Sequence, residues 1–260
     1  MLTGRTALVT GSVAGLGYAL AEGLAAAGAD VVINGLCTPE EGRAAADRLA
    51  ADHGVKAAFD PADLREAAQI ESMVTGVVEH FGSLDIVVNN AVIRHFSSIE
   101  DFAPADWEES LAVNLTAPFH TARLALPGMK ARGWGRIVNL SSYYGFRGAE
   151  NRIDYVTTKT ALIGMARAIA IETAGTGVTC NALCPGSVLT PAIEDRIAGI
   201  AAQSGEDVEK VAKRYAADRS PMGRFVDPAK LAAALVFLCS PAGDDITGTA
   251  LPVDCGWFAA

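Results

Sequence analysis

The sequence has no run of about twenty apolar residues free of charge, so no helical membrane span is expected. Positive charge is in short supply: 21 Lys and Arg stand against 30 Asp and Glu, a formal net charge of −9. A general nucleic-acid surface is thereby excluded, because phosphate contacts need a basic face. The four histidines, His53, His80, His95 and His120, are scattered without ligand spacing, and no metal site is expected. Five cysteines, Cys37, Cys180, Cys184, Cys239 and Cys255, are odd in number and form no Cys-x-x-Cys pair. That is the pattern of reduced thiols in a cytoplasmic protein. The opening MLTGRTALVTG enters an apolar strand directly and lacks the layout of a secretory signal. Internal repeats and low-complexity stretches are also missing.

What is present is regular alternation. The 260 residues, half of them hydrophobic, suit one large α/β domain. Seven nearly continuous apolar runs, at 6–10, 31–34, 56–59, 84–89, 136–141, 178–184 and 250–253, read as strands covered on both faces. Helical patterns lie between them near 16–28, 39–53, 66–82, 105–132, 153–174 and 227–239. This order predicts a doubly wound, seven-stranded parallel sheet with helices on both faces. Residues 187–226 interrupt the rhythm with a long, charged, helical stretch. It reads either as a solvated helical pair or as a lid over the carboxyl ends of the strands, where open α/β sheets bind ligands.

TGSVAGLG, residues 10–17, follows the first strand and opens the first helix. Gly11, Gly15 and Gly17, with Ser12 and Leu16 among them, stand where a chain turns tightly and lets its backbone approach a pyrophosphate. The helix N-terminus then offers free N–H groups to the phosphates. In this strand–turn–helix context the loop predicts a dinucleotide site and a single-domain Rossmann fold. The second strand ends in Asn34, Gly35 and Leu36, at the expected place of the adenosine ribose. No basic residue waits there for a 2′-phosphate, and Arg43 lies a turn or more into the next helix. NAD is therefore expected rather than NADP.

SYYGFRGAENRIDYVTTK, residues 142–159, contains three tyrosines. Only Tyr155 has a lysine four residues on, Lys159, on the same helix face. A neighbouring ammonium favours the phenolate and makes a tyrosine a usable base. With the Ser142 hydroxyl holding a substrate oxygen, such a pair moves a proton to or from an alcohol while hydride is transferred. A bare Tyr-x-x-x-Lys can equally be a surface helix pair.

Further motifs occur in order along the whole chain: Asp63–Leu64 after the third strand, NNA at 89–91, Asn114 in VNL, and CPG at 184–186 followed by Val188 and Thr190. Together with the glycine loop, Ser142, Tyr155 and Lys159, they make the chain resemble the short-chain dehydrogenase/reductase family. The resemblance implies that Tyr155 is the general acid/base, that Lys159 tunes it and holds the nicotinamide ribose, and that Ser142 orients substrate. It implies that Asn114 anchors a water linking Lys159 to solvent. Asp63, Leu64, Asn90, Ala91, Pro185, Val188 and Thr190 are implied cofactor contacts, and a homotetramer is implied through the helices carrying Asn114 and Tyr155. Two positions depart from the family pattern: Val92 replaces a glycine, and Cys255 replaces the first glycine of a common GGW.

Within the family, stretches such as HGVKAAFDPADL, ETAGTGVTCNALCPG and VDCGW resemble the 3-hydroxybutyrate dehydrogenase branch. Trp257 of that branch's pocket pattern is kept. Arg94 stands for a glutamine, Tyr144 for a histidine, Arg152 for a lysine, Ser187 for a tryptophan and Arg196 for a glutamine. Arg152 and Arg196 also resemble the sulfonate-binding pair of the hydroxypropyl-coenzyme M dehydrogenase branch. Three arginines around one pocket suit a small anionic substrate, carboxylate or sulfonate, because the planar fork grips two oxygens at once. Alternatively each arginine pairs with a local acid: Arg152 with Glu150 or Asp154, Arg196 with Glu194 or Asp195. The substrate would then be a neutral polyol, sugar or cyclic ketone. A non-catalytic nucleotide sensor is the remaining alternative.

Overall fold

The computed structural model describes residues 1–260, Ala192 by its backbone alone. Seven strands form one sheet: β1 (Thr6–Val9), β2 (Asp30–Asn34), β3 (Ala57–Asp60), β4 (Ile86–Asn89), β5 (Gly135–Leu140), β6 (Val178–Pro185) and β7 (Ala250–Val253). Their spatial order is β3-β2-β1-β4-β5-β6-β7 and every pairing is parallel. The four residues of β1, the four of β4, the six of β5 and the eight of β6 are all buried, whereas the edge strands β3 and β7 are half-buried. Continuous apolar runs are what a parallel sheet covered on both faces demands.

The two covering layers come from alternate crossovers. Helices α1 (Gly15–Ala26), α2 (Pro39–His53) and α9 (Pro228–Cys239) bury Leu20, Leu24, Leu49, Leu231 and Leu235 against one face. On the other face, α3 (Ala67–Phe81), α5 (Ala117–Arg132) and α6 (Ile153–Glu172) bury Ile70, Met73, Val77, Met129 and Ile163. The strand order reverses at β1, whose neighbours are β2 on one side and β4 on the other. The crevice outside the carboxyl ends of β1 and β4 is therefore the topological switch point, where this architecture places ligands.

One long helix is expected over 105–132, and the structure breaks it. Helix α4 (Pro104–Leu111) passes into a π-helical turn, Ala112–Thr116, before α5 begins. The Ala117 N–H reaches back to the Ala112 carbonyl, five residues away. Pro118 follows directly and has no N–H to offer the Asn114 carbonyl in an ordinary α-turn.

The insertion at 187–226 is a helical pair, α7 (Pro191–Ser204) and α8 (Val208–Ala217). It has its own small core of Ile197, Ala201, Val211 and Tyr215. Its two ends meet: the Val226 N–H donates to the Ser187 carbonyl at 2.7 Å, and Val188 bridges Val226. Among the described residues, no helix is long and apolar enough to cross a membrane.

Candidate active site

The glycine loop leaves β1 with Gly11 and Gly15 both at φ 60°, the left-handed region that favours glycine. A Cβ on Gly17 would lie 2.1 Å from the Gly11 carbonyl oxygen and 2.6 Å from Asn90 Nδ2, so only glycine fits. A Cβ on Gly15 would meet nothing within 4 Å, which leaves bare backbone bordering open space. Ala14, the N-cap of α1, supplies no side-chain cap, so the first-turn N–H groups keep their capacity for an outside acceptor. A cradle of uncapped donors with no side chain in the way fits a pyrophosphate.

Beneath the loop lie its supports. Asn90 Nδ2 donates to the carbonyls of Thr10 (3.0 Å) and Gly11 (2.8 Å). The Thr10 hydroxyl accepts the N–H groups of Asn90 and Ala91. Ser12 and Asn34 stand where the sequence expects the cofactor, and their side chains turn inward. The Ser12 hydroxyl is fully buried, donating to the Val9 carbonyl at 2.6 Å and accepting the Asn34 N–H. The Asn34 amide is also buried, donating to the Asp60 and Ala62 carbonyls at 3.2 and 2.9 Å while accepting the Gly11 N–H. These two side chains hold the loop and have no donor left for a ribose. Leu36 is exposed at the end of β2. Arg43 is paired with Glu40 at 2.7 Å. Past β3, the Asp63 carboxylate is gripped by Arg65, whose hydrogen bonds hold it below the usual range, and Leu64 is buried in the core.

Across the switch point, Asn114 sits in the π turn, 1% exposed. Its amide accepts the Ile93 N–H at 2.8 Å and donates to the Ile93 carbonyl at 2.9 Å, pinning the segment after β4. Ser142, two residues past β5, is extended, and its hydroxyl accepts the Tyr144 N–H at 3.1 Å. Tyr155 and Lys159 lie one turn apart on α6, both buried, with Lys159 Nζ 5.5 Å from the centre of the Tyr155 ring. The ammonium donates to the Leu140 carbonyl. Burial works to raise the Tyr155 phenol, but the charges of Lys159, Arg94 and Arg152 and a hydrogen bond with Ser142 outweigh it, bringing the phenol below its ordinary value. Burial likewise lowers Lys159, helped by Arg94 and opposed by Tyr155.

The three arginines converge. Arg94 lies 5.5 Å and Arg152 4.4 Å from the centre of the Tyr155 ring. Arg152 also stacks on Phe96 at 4.2 Å, and Arg196, from α7, stands over the same Phe96 ring at 5.2 Å. None of the ion pairs among the described residues involves any of the three. Asp154, one of the two acids nearest to Arg152 in sequence, is turned inward onto Tyr155, Ser110 and His95. Asn151, at φ 57°, delivers the chain into Arg152 in a conformation asparagine tolerates. Tyr144 meets Tyr155 edge-on at 6.2 Å and Trp257 at 5.9 Å, forming an aromatic wall. Tyr143 is buried between Tyr144 and Trp257, and its hydroxyl is pushed far up by burial.

The segment after β6 is less committed. Pro185 and Val188 are buried, and Thr190 occupies the N-cap of α7 without spending its hydroxyl there. Cys255 adopts φ 55°, the left-handed conformation for which the common glycine at this position is suited. Sequence reasoning misses Phe96, His95 and Asp154. The available signal is that Asp154 is an acid in the first turn of the tyrosine's own helix.

Comparison with known proteins places this geometry. The family model described as Enoyl-(Acyl carrier protein) reductase matches residues 11–258. The D-beta-hydroxybutyrate dehydrogenase of Cupriavidus necator is 43% identical over 259 residues, covering 100% of both chains. That of Rhizobium meliloti is 38% identical, covering 98% of this chain and 99% of its own. Among solved structures, L-sorbose reductase from Gluconobacter frateurii, complexed with NADPH and L-sorbose, superposes with a TM-score of 0.95 at 30% identity, covering 100% of this chain and 98% of its own.

Proposed function

The chain belongs to the short-chain dehydrogenase/reductase family, oxidoreductases acting on secondary alcohols, and on that footing we propose that it is an NAD-dependent dehydrogenase of a small anionic hydroxy compound. The substrate is a 3-hydroxybutyrate-like hydroxy acid or a sulfonate-bearing analogue. One observation carries this reading: three guanidiniums gather around Tyr155 and Phe96, and their neighbours there are aromatic faces instead of carboxylates.

In this reading Tyr155 takes the hydroxyl proton from the substrate alcohol, or returns it to the ketone. Ser142 holds the substrate oxygen beside the phenol. Lys159 lowers the phenol and holds the nicotinamide ribose. A water on the Asn114 carbonyl, which Pro118 has no N–H to cap, links Lys159 to solvent. When bound, the nicotinamide supplies the acceptor for the carbinol hydride. The loop Gly11–Gly17, Leu36, Asp63, Ala91, Pro185, Val188 and Thr190 would line the dinucleotide along its length. The preference for NAD is supported by the end of β2, where Leu36 is exposed and Arg43 is already paired with Glu40. Arg94, Arg152 and Arg196 grip the anion, Tyr144 and Trp257 wall the pocket, and the helical pair at 187–226 acts as its lid. Scattered free thiols and the family likeness fit a cytoplasmic homotetramer.

A panel of 3-hydroxybutyrate, hydroxysulfonates and polyols, each with NAD and with NADP, tests the proposal. Faster turnover of neutral polyols, unchanged by Arg152→Ala and Arg196→Ala, defeats the anionic substrate. Redox activity surviving intact in Tyr155→Phe defeats the catalytic assignment.

A further inference from the structure

Phe96 is 55% exposed, a large aromatic ring left at the surface of a pocket lined with cations. Its neighbours explain it. Arg152, at the start of α6, places its guanidinium carbon 4.2 Å from the ring centre, and Arg196, on α7, places its own at 5.2 Å. Both lie within the range at which a cation is attracted to the face of a ring. A carboxylate partner would occupy the N–H edge of a guanidinium. A ring occupies only its face and leaves the N–H fork free for another acceptor. The Arg152 Nε is buried with no hydrogen-bond partner in the structure, a donor still waiting for one.

The placement of Phe96 is fixed from behind. The segment after β4 is tied down at alternate residues: Ile93 by Asn114, and His95 by the buried Asp154 carboxylate. Arg94 and Phe96, the intervening pair, are both exposed. One short segment thus carries an arginine beside Tyr155 and the ring on which two further arginines rest. Arg196 belongs to the helical insertion, so the ring also couples that insertion to the start of the tyrosine's helix.

We propose that Phe96 is a specificity-determining residue: its ring holds Arg152 and Arg196 together, against their mutual repulsion, with their donor edges presented to the anionic group of the substrate. This rests on the anionic-substrate reading above. Two cation–ring contacts at a partly exposed site are together worth about a tenfold change in affinity.

Calorimetric titration with acetate and with methanesulfonate, on wild type and on Phe96→Leu and Phe96→Tyr, tests it. Leucine keeps an apolar side chain and removes the ring, while tyrosine keeps the ring. Phe96→Leu is expected to weaken binding of the preferred anion about tenfold, and Phe96→Tyr to recover most of that loss. In steady state with 3-hydroxybutyrate, Phe96→Leu is expected to raise KM by a similar factor with much less effect on kcat. Its KM for 3-hydroxybutyramide, the neutral analogue, should not move. Equal anion binding by wild type and Phe96→Leu overturns the role of Phe96 alone. Failure of the wild type to bind either anion removes the anionic-substrate reading and the proposal with it.

Discussion

The buried Asp154 carboxylate accepts the backbone N–H of His95 at 3.1 Å, joining the start of the tyrosine's helix to the segment that carries Arg94 and Phe96. The same carboxylate accepts the Tyr155 N–H at 2.6 Å and the Ser110 hydroxyl at 2.8 Å. His95 Nδ1 approaches it at 3.5 Å, while Nε2 faces Glu109 and Asp106 at 3.6 and 3.8 Å. One side chain therefore sets the distance between the two halves of the candidate anion pocket.

Removing that carboxylate strands three donors in the interior. Asp154→Ala is expected to cost about 2–4 kcal/mol of stability, since hydrogen bonds to charged groups contribute about 1.5–3 kcal/mol each and part of the loss is recovered by relaxation. The measurement is urea unfolding. Asp154→Asn, which keeps size and one acceptor, should be milder in unfolding yet still raise KM for the anionic substrate more than it lowers kcat. A purely structural role would show in stability without that split.

Tyr155→Phe removes the phenolic oxygen and leaves the ring that Arg94, Arg152 and Tyr144 contact. Turnover should fall by about a hundredfold to ten-thousandfold, the range for losing a general acid/base. Binding of the reduced nicotinamide, followed by fluorescence, should persist. Activity within tenfold of wild type would falsify the assignment.

The pH profile follows from the charges around that phenol. Oxidation needs the phenolate, so its rate rises with pH up to the Tyr155 pKa and then levels. Burial works to raise that pKa, and Lys159, Arg94 and Arg152 bring it down past the ordinary tyrosine value. Arg152→Ala removes one of the lowering charges, so the rising limb should move to higher pH. Lys159→Ala should move it further, because Lys159 is the largest of the lowering influences. A limb that stays in place in both variants would mean that some other group is titrating.

Much of the fold is legible in the sequence. Nearly continuous apolar runs such as LDIVVN over 84–89 and RIVNLS over 136–141 announce strands covered on both faces, and all six residues of β5 are buried. Gly17 could be read because the close contact it makes with the Gly11 carbonyl is local in sequence. The side chains of Ser12 and Asn34 are hard to read for the opposite reason. Each looks like a ligand donor, and only the approach of the chain after β3 and the turn of the glycine loop shows their polar atoms already spent. The π turn is a shift of one residue in backbone pairing, Ala117 to Ala112, which a hydrophobic periodicity does not register. Phe96 acquires its meaning from arginines on two distant elements, and no spacing rule joins 96 to 152 and 196.

Cofactor preference gives the last prediction. A 2′-phosphate adds about two negative charges at the end of β2 and needs a cation or a cluster of donors there. The residues in place offer neither. Leu36 presents an apolar side chain, Arg43 is bound to Glu40, and Glu41 closes a capping box on Thr38 that puts its carboxylate at the start of α2. Asn34 has no free donor. Wild type should therefore favour NAD over NADP by a factor of ten or more in kcat/KM, about 1.4 kcal/mol, the scale of one unmatched charged contact. Leu36→Arg should narrow the gap mainly by lowering KM for NADP, because the exposed position can carry a guanidinium without repacking the core. Steady-state kinetics with both cofactors on both proteins measure this. A wild type that prefers NADP would show that donors outside the end of β2 hold the phosphate, and the NAD assignment would fall.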